Sequence, residues 1–165
     1  MTANQPLQPV ASDSETAGIP PIPPPLYYVA GFLIGLGLEL AFPIDRPPTW
    51  MTLAGAIVGF AGWLAFDGPA MLSFRRAGTS MIPFKPSTAL VTDGPYRFSR
   101  NPMYVGMAFF YVGLALAVGL VWPLVLLPVV IAAVDQLVIA REEAYLVRRF
   151  GQEYCDYMKR ARRWL

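Results

Sequence analysis

The sequence has 165 residues, of which 55% are apolar and only 15% charged, with a formal net charge of +2 and a mean hydropathy of +0.45. One domain is the expectation for this length, and the charged fraction lies far below the ~25% of a soluble domain, whose core could not hide so much apolar surface. A membrane setting follows. The chain holds one cysteine, Cys155, and no histidine, which excludes disulfide frameworks, Cys/His zinc sites and a histidine base; neither a metal nor a nucleic acid is an expected partner.

Residues 1–25 are polar and then proline-rich (Ile19-Pro20-Pro21-Ile22-Pro23-Pro24-Pro25), without a Lys or Arg. Lacking the basic start of a signal peptide, they are expected to form a disordered or polyproline-II arm. A first span is predicted over 26–42, with Gly31-x-x-x-Gly35, Gly37 and a single charge, Glu39. A short turn, Pro43-Ile44-Asp45-Arg46-Pro47-Pro48, leads to a second span over 50–66 with Gly55-x-x-x-Gly59 and Gly62. These small residues predict close packing of the first two helices in lipid. Asp67-Gly68-Pro69 predicts a kink or break, with an amphipathic continuation to Arg75-Arg76.

A long loop with three prolines follows over 77–100. A loop of that length is usually functional or disordered. The third and fourth spans, 103–122 and 123–140, are nearly contiguous and predict a tight helical hairpin; each approaches the ~20 residues that a bilayer requires. Residues 141–150 continue the fourth helix into water, with Arg148 and Arg149 in its last turn and Gly151 as a C-cap. A further amphipathic helix over 152–162 places Tyr154, Tyr157 and Ala161 on one face. The predicted fold is all-α: an integral membrane helical bundle of about four transmembrane helices with a cytosolic C-terminal helical segment, the membrane domain covering 26–165.

Charge placement predicts the topology. Arg75, Arg76, Lys85, Arg97 and Arg100 lie in or just before the long loop, and Arg141, Arg148, Arg149, Lys159, Arg160, Arg162 and Arg163 follow the last span; only Arg46 lies elsewhere. Four spans put both basic regions on one side, which the positive-inside rule makes cytoplasmic, together with both termini. A bacterial inner membrane is the expected location.

Chemistry concentrates where the long loop enters the third span, at Gly94-Pro95-Tyr96-Arg97-Phe98-Ser99-Arg100-Asn101-Pro102-Met103-Tyr104-Val105-Gly106. Asn101-Pro102 has a plain reading as an N-cap followed by a first-turn proline, with Tyr104 as an interfacial aromatic. Arg100, Tyr96 and Gly94 converge on the same turn, where an arginine and backbone N–H groups suit an anion or carboxylate. Glu142 and Glu143 read either as a solvated helix start beside Arg141 or as acceptors for a ribose diol or an ammonium. At helical spacing Glu142 shares a stripe with Asp135, Leu146 and Phe150. Asp135 and Glu39 stand at membrane depth, where a charge is usually buried or functional.

The string from Leu90 to Gly106 resembles the signature of the isoprenylcysteine carboxyl methyltransferase and phospholipid methyltransferase superfamily, Gly-x-Tyr followed by Arg-His-Pro-x-Tyr-x-Gly. The later Arg141-Glu142-Glu143-x-x-Leu146-x-x-x-Phe150-Gly151-x-x-Tyr154-x-x-Tyr157, with Arg163 beyond it, resembles the Glu-Glu region of the same superfamily. The two motifs occur in the right order around a helical hairpin and cover roughly 70–165.

The resemblance implies an integral membrane enzyme that uses S-adenosylmethionine, held on the cytosolic side, to methylate an acceptor arriving from the bilayer. It implies cofactor contacts from Gly94, Tyr96, Arg100, Asn101, Pro102, Tyr104 and Gly106, with Glu142 and Glu143 opposite and Leu90 and Val91 flanking the adenine. Arg100, Glu142 and Arg163 are the implied reaction-centre residues. The motif histidine is Asn101 here, which offers a hydrogen bond but cannot titrate near neutrality. The acceptor stays open among amine lipids, prenylated cysteines, fatty acids, small thiols and quinone-like molecules. Two other readings are an NADPH-dependent membrane reductase of the sterol-reductase type, whose members are much longer, and a non-catalytic membrane protein.

Overall fold

The computed structural model describes residues 22–78 and 89–165. The proline-rich arm up to residue 21 and the centre of the long loop, with Lys85, lie outside the described residues. Among the described residues six α-helices follow in order: α1 (Pro24–Ala41), α2 (Thr49–Ala77), α3 (Pro102–Val118), α4 (Trp122–Val134), α5 (Ala140–Phe150) and α6 (Gln152–Arg160). A 3₁₀ turn, Gly94–Arg97, precedes α3, and a π-helical turn, Asp135–Ile139, joins α4 to α5 without interrupting the helical path. Among the described residues three stretches are long and apolar enough to cross a membrane: Pro24–Ala41, Thr49–Ala77 and Trp122–Phe150. Pro102–Val118 is a shorter apolar helix beside them. The protein is therefore an all-α integral membrane bundle, as its hydropathy predicts.

Local sequence sets the ends. Pro24, Pro102 and Pro123 occupy first turns, where their missing N–H is no loss. Gly78 and Gly119 close α2 and α3 with φ of +62° and +76°, the left-handed cap that a side chain would strain. Leu33, Ile34, Leu53, Val58 and Leu64 remain exposed on α1 and α2, an apolar belt suited to lipid.

The helix pairing differs from the expectation that the first two helices pack on each other. The dominant contacts run between α2 and α3 and between α1 and α4. Gly59 and Gly113 let α2 and α3 touch backbone to backbone, since a Cβ at Gly59 would lie 2.5 Å from the Gly113 Cα. Gly35 meets Pro123 at the start of α4, whereas Gly37 faces open space. Tyr hydroxyls tie the two pairs together: Tyr28 of α1 donates to the Tyr104 carbonyl of α3 at 3.0 Å, and Tyr111 of α3 to the Pro123 carbonyl of α4 at 3.0 Å.

Of the kink or break expected at Asp67-Gly68-Pro69, no break occurs; the continuation expected to Arg75-Arg76 is part of α2, which runs on to Ala77. Proline removes one helical hydrogen bond, but Ala70 and Ser73 just beyond are buried. Ala70 belongs to a cluster with Val91, Tyr96, Tyr154, Tyr157 and Ala161, and this packing holds the last turns of α2. Glu39 has a structural role at the other end of the bundle. Its Oε2 accepts the backbone N–H groups of Val121 and Trp122 at 2.9 and 3.0 Å, so a carboxylate from α1 caps the N-terminus of α4.

Candidate active site

The site begins at the 3₁₀ turn. Gly94 has φ of +58°, and a Cβ there would lie 2.6 Å from the Ser73 hydroxyl, so glycine is needed for both the turn and the close approach to α2. The turn buries Tyr96, which packs edge-to-face on Phe74 with centroids 5.5 Å apart. Its carbonyl accepts the Tyr157 hydroxyl of α6 at 2.7 Å. Burial above all, then the neighbouring Tyr157, Asp67 and Glu142, raises the Tyr96 phenol well above its ordinary pKa and keeps it neutral. Burial likewise pushes Tyr154 up to about 12.

Past this turn the chain is pinned by its own C-terminus. Residues 98–100 lie parallel to the tail: the Arg162 N–H donates to the Phe98 carbonyl at 3.2 Å and the Arg100 N–H to the Arg162 carbonyl at 2.7 Å. The Arg100 guanidinium makes four hydrogen bonds from its five N–H groups. Its Nε and Nη2 donate to Glu143 Oε1 at 3.1 and 2.8 Å, and Nη1 donates to the carbonyls of Met158 and Ala161 at 3.1 and 2.8 Å. Glu143, buried on α5, also receives the Arg163 guanidinium, which continues to Asp135 Oδ2 at 3.1 Å; Trp164 Nε1 donates to Asp135 Oδ1 at 2.8 Å. Hydrogen bonding to Glu143, ahead of every other cause, holds the Arg163 pKa above its already high ordinary value. The result is an alternating lattice, Arg100–Glu143–Arg163–Asp135, that ties the loop, the tail and the α4–α5 stretch together.

Glu142 stands apart from this lattice. Both its oxygens lie 2.9 Å from the Tyr104 hydroxyl, and no other partner for it appears among the described residues. The shared stripe of Asp135 and Glu142 is therefore lost. Asp135 shares Arg163 with Glu143 instead, because a π turn, bonded i→i+5, shifts the register between them. Asn101 occupies the N-cap position, but its side chain makes no cap; Nδ2 donates to the Arg163 carbonyl at 2.9 Å. Pro102 is fully buried at the helix start. Leu90 and Val91 pack with Tyr96 and Tyr154 in the cluster below the turn.

Gly106 gives way to a residue whose role the sequence did not reveal, Asp67: a Cβ at position 106 would lie 2.6–2.8 Å from its carboxylate atoms. The signal was present, a carboxylate with no other charge over residues 49–74, but Gly68-Pro69 directs the reading toward a kink or break. Beside the lattice, a groove of about 620 Å³ opens along α4, lined by Leu124, Leu127, Ile131, Asp135, Arg163 and Trp164. It is apolar along the helix and charged at one end.

The model of the phospholipid methyltransferase family matches residues 49–153. The chain belongs to the phospholipid methyltransferase family. The matched region includes Arg100, Tyr104, Glu142 and Glu143, so the central elements of the site lie within the family domain, while Arg163 and Trp164 follow it. A Protein-S-isoprenylcysteine O-methyltransferase of Schizosaccharomyces pombe is 38% identical over 71 residues, which cover 43% of the chain and 30% of that relative. An uncharacterized protein of Haemophilus influenzae is 51% identical over 35 residues, covering 21% of the chain and 56% of that relative. The matches thus span well under two thirds of either relative. No solved structure matches the chain. Within this family member, Glu142 keeps one hydroxyl partner and Asp67 Oδ1 none among the described residues, whereas Glu143 is held by Arg100 and Arg163.

Proposed function

We propose that the protein is an S-adenosylmethionine-dependent methyltransferase that works at the membrane surface on a lipophilic acceptor. The observation that carries this reading is the division of labour between neighbouring carboxylates. Glu143 is consumed by Arg100 and Arg163, whereas Glu142 holds a single hydroxyl partner and keeps lone pairs for a ribose diol or an ammonium. This donor set fits S-adenosylmethionine, which when bound supplies an electrophilic methyl on a sulfonium: the acceptor's lone pair forms the new bond as the carbon–sulfur pair returns to sulfur. The chain's contribution is to position and to exclude water. Arg100 fixes the loop, Tyr104 orients Glu142, and the Asp135–Arg163–Trp164 end of the groove meets the acceptor's polar end. The apolar length of the groove suits an acyl or prenyl chain drawn from the bilayer. The basic residues of 75–100 and 141–163 favour a cytoplasmic site.

Two measurements test this. Calorimetric titration of detergent-purified protein with S-adenosylmethionine and with NADPH is expected to show binding of the former alone; binding of NADPH alone favours the reductase reading. A methyl-labelled donor incubated with lipid extracts and followed by mass spectrometry identifies the acceptor. Across a chain-length series of one headgroup in nanodiscs, apparent affinity should rise, by up to roughly 0.8 kcal/mol per buried CH₂, until the groove is full. A flat series with equal methylation of a small soluble amine or thiol refutes a bilayer route.

A further inference from the structure

Asp67 is a carboxylate that the reaction above leaves without a task. Its Oδ1 is enclosed and has no hydrogen-bond partner, while Trp63, one turn earlier, hydrogen-bonds the carboxylate. Among the described residues it enters no ion pair. An enclosed carboxylate oxygen left unpaired is costly and calls for an explanation, and an ionisable residue at membrane depth usually has a functional partner.

The surroundings indicate where that partner sits. The Gly106 backbone, in the same motif as Arg100 and Tyr104, leaves the space that the carboxylate fills. Phe66 stacks on Phe109 with centroids 5.7 Å apart, so α2 is fixed against α3 beside Asp67. Carboxylates from α2 and α5 thus meet the first turn of α3 two residues apart, Asp67 beside Gly106 and Glu142 on the Tyr104 hydroxyl at 2.9 Å. The cationic side chains of the lattice are already taken: Arg100 by Glu143 and two carbonyls, Arg163 by Glu143 and Asp135.

We propose that Asp67 is the anionic contact for a cationic group of the methyl donor, its sulfonium or its ammonium, and hence a further donor-binding residue contributed by α2. This rests on the S-adenosylmethionine reading above. The test uses the full chain in detergent micelles, as wild type, Asp67→Asn and Asp67→Ser. Each is titrated calorimetrically with S-adenosylmethionine and with S-adenosylhomocysteine, which keeps the ammonium and lacks the sulfonium. Ligand-free melting temperatures are recorded alongside. The variants are expected to bind S-adenosylmethionine at least about tenfold more weakly, with ligand-free melting unchanged. A loss confined to S-adenosylmethionine assigns the contact to the sulfonium; an equal loss for both assigns it to the ammonium. Unchanged affinity for both overturns the proposal. So does failure of both variants to fold, which would make Asp67 a packing residue of α2. A wild-type protein that binds neither compound overturns the donor reading itself.

Discussion

Glu142 and Glu143 are adjacent in sequence, yet their replacement by glutamine should have opposite consequences. Glu143 is buried and receives four guanidinium contacts, two from Arg100 and two from Arg163. Glu143→Gln removes the only charge between two guanidinium groups and leaves Arg100, 12% exposed, without an anion. Breaking a buried ion pair from one side costs about 3–5 kcal/mol. Arg163 is 38% exposed, so water meets part of its loss, and the lower end of that range, ~3 kcal/mol, is expected. For a chain of this size each kcal/mol lowers the melting temperature by about 2–4 °C, so a drop of roughly 6–12 °C follows.

Glu142→Gln should leave the fold intact, because an amide oxygen still accepts the Tyr104 hydroxyl and a neutral hydrogen bond differs by only about 1 kcal/mol. Its effect should appear in S-adenosylmethionine affinity: one charge-assisted hydrogen bond contributes roughly 1.5–3 kcal/mol, or one to two decades. Thermal unfolding and calorimetry on the two detergent-purified variants separate the roles. A Glu143→Gln protein that melts within about 2 °C of wild type, or a Glu142→Gln protein that binds the donor like wild type, would rule out these separate roles.

The α2–α3 seam should be intolerant at one glycine and indifferent at a control. Gly59→Ala pushes a methyl into the Gly113 backbone and should cost about 1–3 kcal/mol of overpacking, whereas Gly37→Ala meets nothing within 4 Å and should melt like wild type; equal melting of the two would remove the seam from the account. Topology is testable in a Cys155→Ser background. Arg76→Cys and Arg160→Cys should label from one face of the membrane and Asp45→Cys from the other, and opposite labelling of 76 and 160 would contradict the four-helix crossing.

Much of the bundle was legible because the bilayer sets helix length. An apolar run near the required span and a glycine or proline at its edge suffice to place α1, α3 and α4. Helix partnership was not legible. Gly31, Gly35, Gly55 and Gly59 announce close approach but not to which neighbour; the partners are Val130 and Pro123 of α4 for α1, and Leu116 and Gly113 of α3 for α2, all far along the chain. The continuation to Arg75-Arg76 was legible, but not that it follows Pro69 without a break, since Ala70 packs with Tyr154, Tyr157 and Ala161, some ninety residues later. The π turn left no mark in the residue pattern, although it decides that Asp135 meets Arg163 and Glu142 meets Tyr104.

The motif residues stood out in the sequence, but which of them bind one another did not, because the C-terminal tail decides it. By lying beside 98–100 it presents carbonyls of Met158, Ala161 and Arg163 to the loop and brings the Arg163 guanidinium onto Glu143. This also gives the departure from the family motif a physical meaning. Position 101 must supply one N–H to the Arg163 carbonyl, and the Asn101 amide does so at 2.9 Å. Neither protonation state nor titration enters that contact. An imidazole N–H can make the same bond, so asparagine and histidine are interchangeable for holding the tail, and they differ only where a proton must be carried. Methyl transfer to a nucleophile that is already deprotonated, or whose proton Glu142 can take, asks for no such carrier at 101. The substitution is therefore compatible with the proposed chemistry and shifts any acid–base work onto the carboxylates that the lattice leaves free.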